Sequence, residues 1–283
     1  IMEIIKIITD SSADLPKEIF EKLQIEVLPL LINFGEESYL DGVEITLDEL
    51  FRKIDEGDTF PNTSQVTPIR FQETYEKYLK EGYKIISIHI SSGMSGTYQS
   101  ACLAKNNIGS DDIYVIDSQS VTSGLALLVY RAAILRDMGK DIKEIVNELE
   151  EKKSKIRSSL SFDSLDNLVR GGRIPKTVGV VTGMLGIKLI LEVKDGLMSV
   201  KDKVRGGKKA SKRIINDIEK YGCEKGMPVM LINVNMDEVN KPVSDYLIEN
   251  NIEFINTKVG CTVGIHSGNY ATGVFFFEKD DMK

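Results

Sequence analysis

Apolar positions fall into short β-branched runs that alternate with amphipathic stretches of helical period. Glu3 to Thr9 is an apolar run stopped by Asp10-Ser11-Ser12, the pattern of a buried strand ending in a loop. A helix is expected next, with Pro16 near its first turn and Ile19, Phe20 and Leu23 on one face. Ile25 to Asn33 reads as one second strand. Thr46 is placed to cap a helix over Leu47 to Asp55 that Gly57 ends, and Thr67-Pro68 to open another that runs to Gly82. Strand Lys84 to Ile90, helix Gly96 to Asn106, strand Asp112 to Ile116 and a long helix from Ser123 to Met138 follow. Such alternation implies a parallel sheet covered on both faces, with ligand loops at the carboxyl ends of its strands. Three Ser/Thr-rich loops fall there, Thr9 to Ser12, Ser91 to Thr97 and Asp117 to Thr122, and Pro61 to Gln65 is a fourth polar loop between two helices.

The charged helix Asp141 to Lys155 leads into a second pattern. A strand near Ile156 to Ser161 and a short helix reach Arg170-Gly171-Gly172-Arg173, and then an apolar helix with spaced glycines is expected over Val178 to Ile187. Lys188 to Val193 and Leu197 to Lys203 flank Lys194-Asp195-Gly196, where Asp-Gly suits the type I′ turn of a hairpin. Helix Gly207 to Lys220, strand Pro228 to Asn235, helix Asp237 to Asn250 and strands Ile252 to Thr257 and Gly273 to Glu278 complete the chain. The expected fold is therefore α/β in two domains: residues 1–155 with a parallel sheet, and residues 156–283 of α+β type.

With 283 residues the chain has room for two cores. Its 36 Lys and Arg against 43 Asp and Glu give a formal net charge of −7, which argues against a general nucleic-acid binder. Apolar residues at 42% and charged residues at 28% fit a globular protein. Two His and three scattered Cys leave little material for a metal site and fit free thiols in a reducing compartment. Val178 to Ile187, the longest uncharged apolar stretch, falls far short of the roughly 20 residues of a membrane span. The first residues carry charges within their apolar run and no small-residue cleavage site. A cytoplasmic protein without integral membrane association is expected.

Ser91-Ser92-Gly93-Met94-Ser95-Gly96-Thr97 combines hydroxyls, two glycines and a helix start, which together favour an anion; the plain alternative is that Ser95 only caps the helix. Asp10, Asp14 and Asp117 sit beside strand ends, as metal-binding or general-base carboxylates do, but Asx-turns account for Asp10 and Asp117 equally well, and with no phosphate-cradling loop or nearby Lys the turn reading is favoured. No G-x-x-x-x-G-K-[ST] or G-x-G-x-x-G occurs. His266, in a Gly-rich stretch read as a loop, can donate a hydrogen bond and carry a proton or can be structural, and His89 reads as a packed core residue. Gly179, Gly183 and Gly186 allow either close helix packing or a slot for a slender apolar ligand. Lys201, Lys203, Arg205, Lys208, Lys209, Lys212 and Arg213 face one acid, Asp202, and form either a solvated face or a docking surface for an acidic protein.

Taken together, these stretches resemble the DegV family of bacterial fatty-acid-binding proteins, which includes the FakB subunits of fatty acid kinase. Thr9-Asp10-Ser11-Ser12-Ala13-Asp14-Leu15 looks like the family's opening motif, and Pro61-Asn62-Thr63-Ser64-Gln65 is similar to its P-x-T-S-Q loop. Ser91 to Ala101 resembles its S-S-x-L-S-G-T-Y-Q-S-A segment, and Arg170-Gly171-Gly172-Arg173-Ile174 its G-G-R-I signature. The resemblance implies a long-chain fatty acid buried between the two domains, with Thr63, Ser95 and His266 at its carboxylate and Arg173 near the head group or a partner surface. Ser12 and Gly96 join the expected ligand-binding set. It also implies a carrier with no cofactor and no chemistry of its own, whose partner is a fatty acid kinase subunit; Lys201, Lys203, Arg205, Lys208 and Lys209, read above from their charge as a docking surface, are where that partner is expected. The chain departs from the family where His266-Ser267-Gly268-Asn269-Tyr270 replaces H-x-G-P-G, and where Thr122, Ala126 and Leu189 replace the usual Ser, Gly and Pro.

The competing reading is an acyl hydrolase or transferase with Ser95 as nucleophile and His266 as base. No orienting carboxylate can be assigned from spacing, and the G-x-S-x-G elbow lacks its last glycine, since Thr97 stands there.

Overall fold

The computed structural model describes residues 3–57, 59–176 and 186–280. The first part of the chain runs β1 (Ile5–Asp10), α1 (Lys17–Lys22), β2 (Glu26–Leu28), β3 (Leu31–Phe34), β4 (Glu37–Leu40), α2 (Leu47–Glu56), β5 (Asn62–Ser64), α3 (Pro68–Lys80), β6 (Lys84–His89), α4 (Thr97–Ile108), β7 (Ile113–Asp117), α5 (Thr122–Asp137) and α6 (Ile142–Lys152). The second runs β8 (Ile156–Phe162), α7 (Asp166–Arg170), β9 (Ile187–Lys194), β10 (Leu197–Arg205), α8 (Gly207–Tyr221), β11 (Val229–Val234), α9 (Asp237–Glu249), β12 (Phe254–Thr257), α10 (Cys261–Ser267) and β13 (Ala271–Phe277). It is an α/β protein with a parallel sheet in its N-terminal part and a mixed sheet in its C-terminal part.

Local signals act as expected where the partners are close in sequence. Thr46 with Glu49 and Asp141 with Glu144 form reciprocal capping boxes, and Thr67 accepts the Arg70 N–H ahead of Pro68. Asp195 and Gly196 both take positive φ, +50° and +78°, which turns β9 into β10 as the right-handed strand twist requires. The single strand expected over Ile25 to Asn33 is instead two. The chain breaks at Pro29, which has no N–H for a ladder, so β2 joins the parallel sheet and β3 joins another. That other sheet is antiparallel, ordered β4-β3-β5, and it turns the expected loop Pro61 to Gln65 into a strand at Asn62–Ser64.

The parallel sheet has the order β2-β1-β6-β7, and the mixed sheet the order β10-β9-β8-β13-β11-β12. Between them lies α5, whose residues are apolar on nearly every side and almost all buried. A helix with that composition has no face for water and belongs in the interior. Leu125, Leu128 and Val129 share one continuous cluster with Ile7, Ile86 and Ile88 of the parallel sheet and with Met230, Phe275 and Phe277 of the mixed sheet. Gly124 allows the close approach: a Cβ there would stand 2.7 Å from the Phe275 ring. Alternation along β13 sends Val274 and Phe276 to the opposite face, against α8 and α9. The α3 and α4 helices cover the far face of the parallel sheet through Phe71, Tyr75, Ala101 and Ala104.

Of the apolar segment expected as a helix over 178–187, residues 178–185 lie outside the described residues. Gly186 is a turn residue at φ +79° and Ile187 opens β9. Among the described residues no helix is long and apolar enough to cross a membrane.

Candidate functional site

The β2-β1-β6-β7 order reverses between β1 and β6, and the loops after β6 and β7 leave the carboxyl edge of the sheet beside that switch point, where open α/β sheets bind ligands. A cavity open to solvent at one end lies there. Ile90, Met94, Ser95, Val121 and Thr122 reach it from those loops and from α5; Leu30 and Thr63 come from around the small antiparallel sheet. Leu160, Phe162, Leu168 and Met198 close it from the mixed-sheet side, and Thr262, Val263, His266 and Ser267 line it from α10. Most of the wall is aliphatic, aromatic or thioether.

The two ionisable side chains of the lining, Arg173 and His266, stand together at one end. Thr63, Arg173 and His266 line both this cavity and an outer depression shared with Phe60, Asn62 and Arg170, so they stand at its mouth. Arg173 donates through Nε to the Met94 carbonyl at 3.2 Å and through Nη1 to the Gly171 carbonyl. It has no carboxylate partner among the described residues. The Ser95 hydroxyl faces the cavity while accepting the Thr97 N–H at 3.2 Å, so capping and lining are both true of it. His266 Nδ1 is buried without a hydrogen-bond partner among the described residues. Burial, with the Arg173 charge nearby, pushes the imidazole down to about 4, so at neutral pH it is uncharged and its one N–H can donate. An apolar slot ending in a half-buried guanidinium, two hydroxyls and a neutral imidazole fits an amphipathic ligand with an anionic head.

His266 lies on a helix, not in the loop expected from its glycines. Thr262, Val263, His266 and Ser267 line the cavity at i, i+1, i+4 and i+5, one face of a helix, and that period was the signal available in the sequence. Gly268, at φ +73°, ends the helix just before Asn269-Tyr270, where the chain departs from H-x-G-P-G. The remaining expected positions do other work. Ser12 is buried and gives both its N–H and its hydroxyl to Asp10, so it pins the loop and does not line the cavity. Gly96 does not line it either: its missing Cβ makes room for the Gln65 side chain, whose Oε1 would lie 1.8 Å from it. Asp117 likewise accepts the Ser92 and Gln119 N–H groups as a loop pin. His89 is sealed in the core between Asp10 (2.9 Å) and Ser87 (2.6 Å), a triad-like chain with no access for any substrate. A Ser95–His266 acyl-transfer pair would need a hydrogen bond between them and an acceptor orienting the ring; the described residues supply neither.

A family model described as an uncharacterised protein of the DegV family matches residues 4–279. The chain belongs to the DegV family. A DegV domain-containing protein of Clostridium perfringens is 50% identical over 278 residues, which cover 98% of this chain and 100% of that one. The crystal structure of DegV from Bacillus subtilis, described as a fatty acid binding protein, is similar at a TM-score of 0.84 and 32% identity, covering 98% of this chain and 100% of that one. A DegV family protein from Thermus thermophilus, described by its fatty acid binding, is similar at a TM-score of 0.90 and 29% identity, covering 97% and 99%.

In this DegV chain the Gly-Gly-Arg-Ile segment has a geometric reason. A Cβ on Gly171 would lie 2.2 Å from His266 Nδ1, so only glycine gives the ring its seat. Gly172 at φ +73° turns the chain, and Arg173 then reaches the mouth. Thr122 lines the cavity at φ +49° with its hydroxyl given to Asp14 at 2.6 Å. Burial, with Asp41 and Asp10 close by, raises the Asp14 carboxyl well above the usual range against the hydrogen bonds from Thr122 and Gly260. The basic stretch is only partly free. Lys203, Arg205, Lys208 and Lys209 are exposed, whereas Lys201 turns inward to Asp217 at 2.7 Å and Glu192 at 3.4 Å. Arg213 is held by Asp202 and Asp217. Lys201 therefore braces β10 against α8 and offers no open charge.

Proposed function

We propose that this protein is a fatty-acid carrier that buries a long acyl chain between residues 1–155 and 156–283 and presents the carboxylate for phosphorylation by a separate kinase. One observation carries the reading: a largely apolar cavity with Thr63, Arg173 and His266 at its mouth, and with the Thr122 and Thr262 hydroxyls of its wall given away to Asp14 and Asp41. Burying a CH₂ is worth about 0.8 kcal/mol, so a chain of about 15 methylenes grosses ~12 kcal/mol before the costs of association. The head group must not be buried bare. Arg173 supplies the compensating charge and keeps the carboxylate ionised. The hydroxyls of Thr63 and Ser95 and the N–H of neutral His266 donate to it, and the outer depression beside Arg170 leaves a path for a phosphoryl donor. The DegV relatives that bind fatty acids support the substrate class, and the exposed Lys203, Arg205, Lys208 and Lys209 supply a surface for an acidic partner.

Mass spectrometry of the organic extract of the purified protein, with titration of added palmitate into the delipidated protein, tests the reading. A near-stoichiometric fatty acid or saturable palmitate binding is expected. Absence of both overturns it.

A further inference from the structure

The wall that carries His266 is held from the opposite end of the chain. Asp41 Oδ1 accepts the Cys261 N–H at 2.9 Å, and its Oδ2 accepts the Thr262 N–H at 3.2 Å and the Thr262 hydroxyl at 2.6 Å. The Ser11 hydroxyl donates to the same Oδ2 at 2.9 Å, so the carboxylate is itself oriented by the loop after β1. Asp14 sits beside it, with Oδ1 accepting the Gly260 N–H at 2.8 Å and Oδ2 accepting the Thr122 hydroxyl. Both side chains are buried, and neither lines the cavity. Three successive N–H groups at the start of α10, which have no partners inside the helix, thus end on two carboxylates from the first part of the chain. Because α10 is only seven residues long, moving its first turn moves His266 in its last. Thr262 and Thr122 line the cavity, yet both give their hydroxyls away from it to these carboxylates.

We propose that Asp41, with Asp14 as its second anchor, is a positioning residue that sets where His266 meets the ligand carboxylate, a role that rests on the fatty-acid reading above. Asp41 touches no ligand and acts through α10. Its loss therefore injures recognition of the head group more than burial of the chain. Asp41→Asn keeps the shape but turns an N–H₂ toward one of the backbone N–H groups, and Thr262→Val removes only the hydroxyl bond and serves if the first variant does not fold. The test compares palmitate with methyl palmitate, which has the same chain and no charge, and follows the His266 ring signals by NMR in the ligand-free protein. Palmitate affinity is expected to fall by about tenfold, as for one lost charge-assisted hydrogen bond, with methyl palmitate little changed and the His266 signals displaced. Equal losses for acid and ester, with His266 signals at their wild-type positions, would overturn the role and leave Asp41 a packing residue. Should the wild-type protein bind neither ligand, the fatty-acid reading falls. The ligand-free His266 signals still decide the clamp in that case, and unmoved signals in Asp41→Asn refute it.

Discussion

Replacing Gly171 with alanine displaces one ring and little else. The residue has φ −77° and ψ −7°, a conformation any amino acid accepts, so the backbone is not the target. The added Cβ would meet His266 Nδ1 at 2.2 Å and Cε1 at 2.6 Å, with the Asn167 carbonyl oxygen at 3.2 Å. Ordinary contact needs about 3.5 Å, so the imidazole must retreat by roughly 1 Å from its seat. A carboxylate bound at the mouth then loses one hydrogen bond, about 1.5–3 kcal/mol for a charged acceptor, and affinity falls roughly ten- to a hundredfold. Displacement of a fluorescent fatty acid by palmitate at neutral pH measures this, with urea unfolding run in parallel to separate overpacking. The same substitution made in a His266→Ala background is expected to cost nothing further, because Gly171 acts through that ring alone. Wild-type affinity in Gly171→Ala, or an undiminished loss in the double variant, would refute the assignment.

Three further outcomes are expected. His266 is held near 4 in the native state against an ordinary value of 6.5, so between these limits the unfolded chain binds a proton the native one excludes. Stability therefore falls as pH drops through that window, and His266→Asn should lose this part of the slope in urea denaturation followed against pH; a wild-type minus variant difference that stays flat contradicts the buried neutral ring. Gly124→Ala would force a Cβ to 2.7 Å from the Phe275 ring and 2.0 Å from Ser120 Oγ, and overpacking of this kind costs about 1–3 kcal/mol, read as a lower urea midpoint. An unchanged midpoint there would mean that α5 and β13 are not in contact as described. If the proposed kinase docks at Lys208 and Lys209, reversing their charge should weaken its phosphorylation of the bound fatty acid and leave fatty-acid affinity intact, and a loss confined to fatty-acid binding would rule out docking through these residues.

The parts of the fold that were legible in the sequence depend on neighbours. Thr46 and Glu49, Asp141 and Glu144, and Asp195 with Gly196 each satisfy or bend backbone within a few residues, so their outcomes are readable without knowing the rest. The largely apolar stretch of α5 is consistent with burial. That it would form the layer shared by two sheets was not readable, since Phe275 meets Gly124 across more than half the chain. Pro29 carried a readable break that a continuous apolar run obscured. Thr63, Ser95, Arg173 and His266 were legible through the order of their motifs, and the fold brings all four to one cavity. Ser12 and Gly96 come from the same motifs and face elsewhere, because a motif records what a loop needs in order to hold its shape as well as what it touches.

By itself, then, the amino-acid order determined the alternating elements, the α/β class and the residue types available to hold an anionic head group. Those follow from periodicity and from short-range backbone satisfaction. Only the tertiary structure decided which way the polar groups face. Lys201 became an internal brace because Asp217 lies within reach, and a glycine-flanked segment became the helix of His266 because Asp14 and Asp41 accept its first N–H groups from 246 and 220 residues away. Buried polar groups must find partners wherever the chain brings them, and distance along the sequence does not tell which partner that will be.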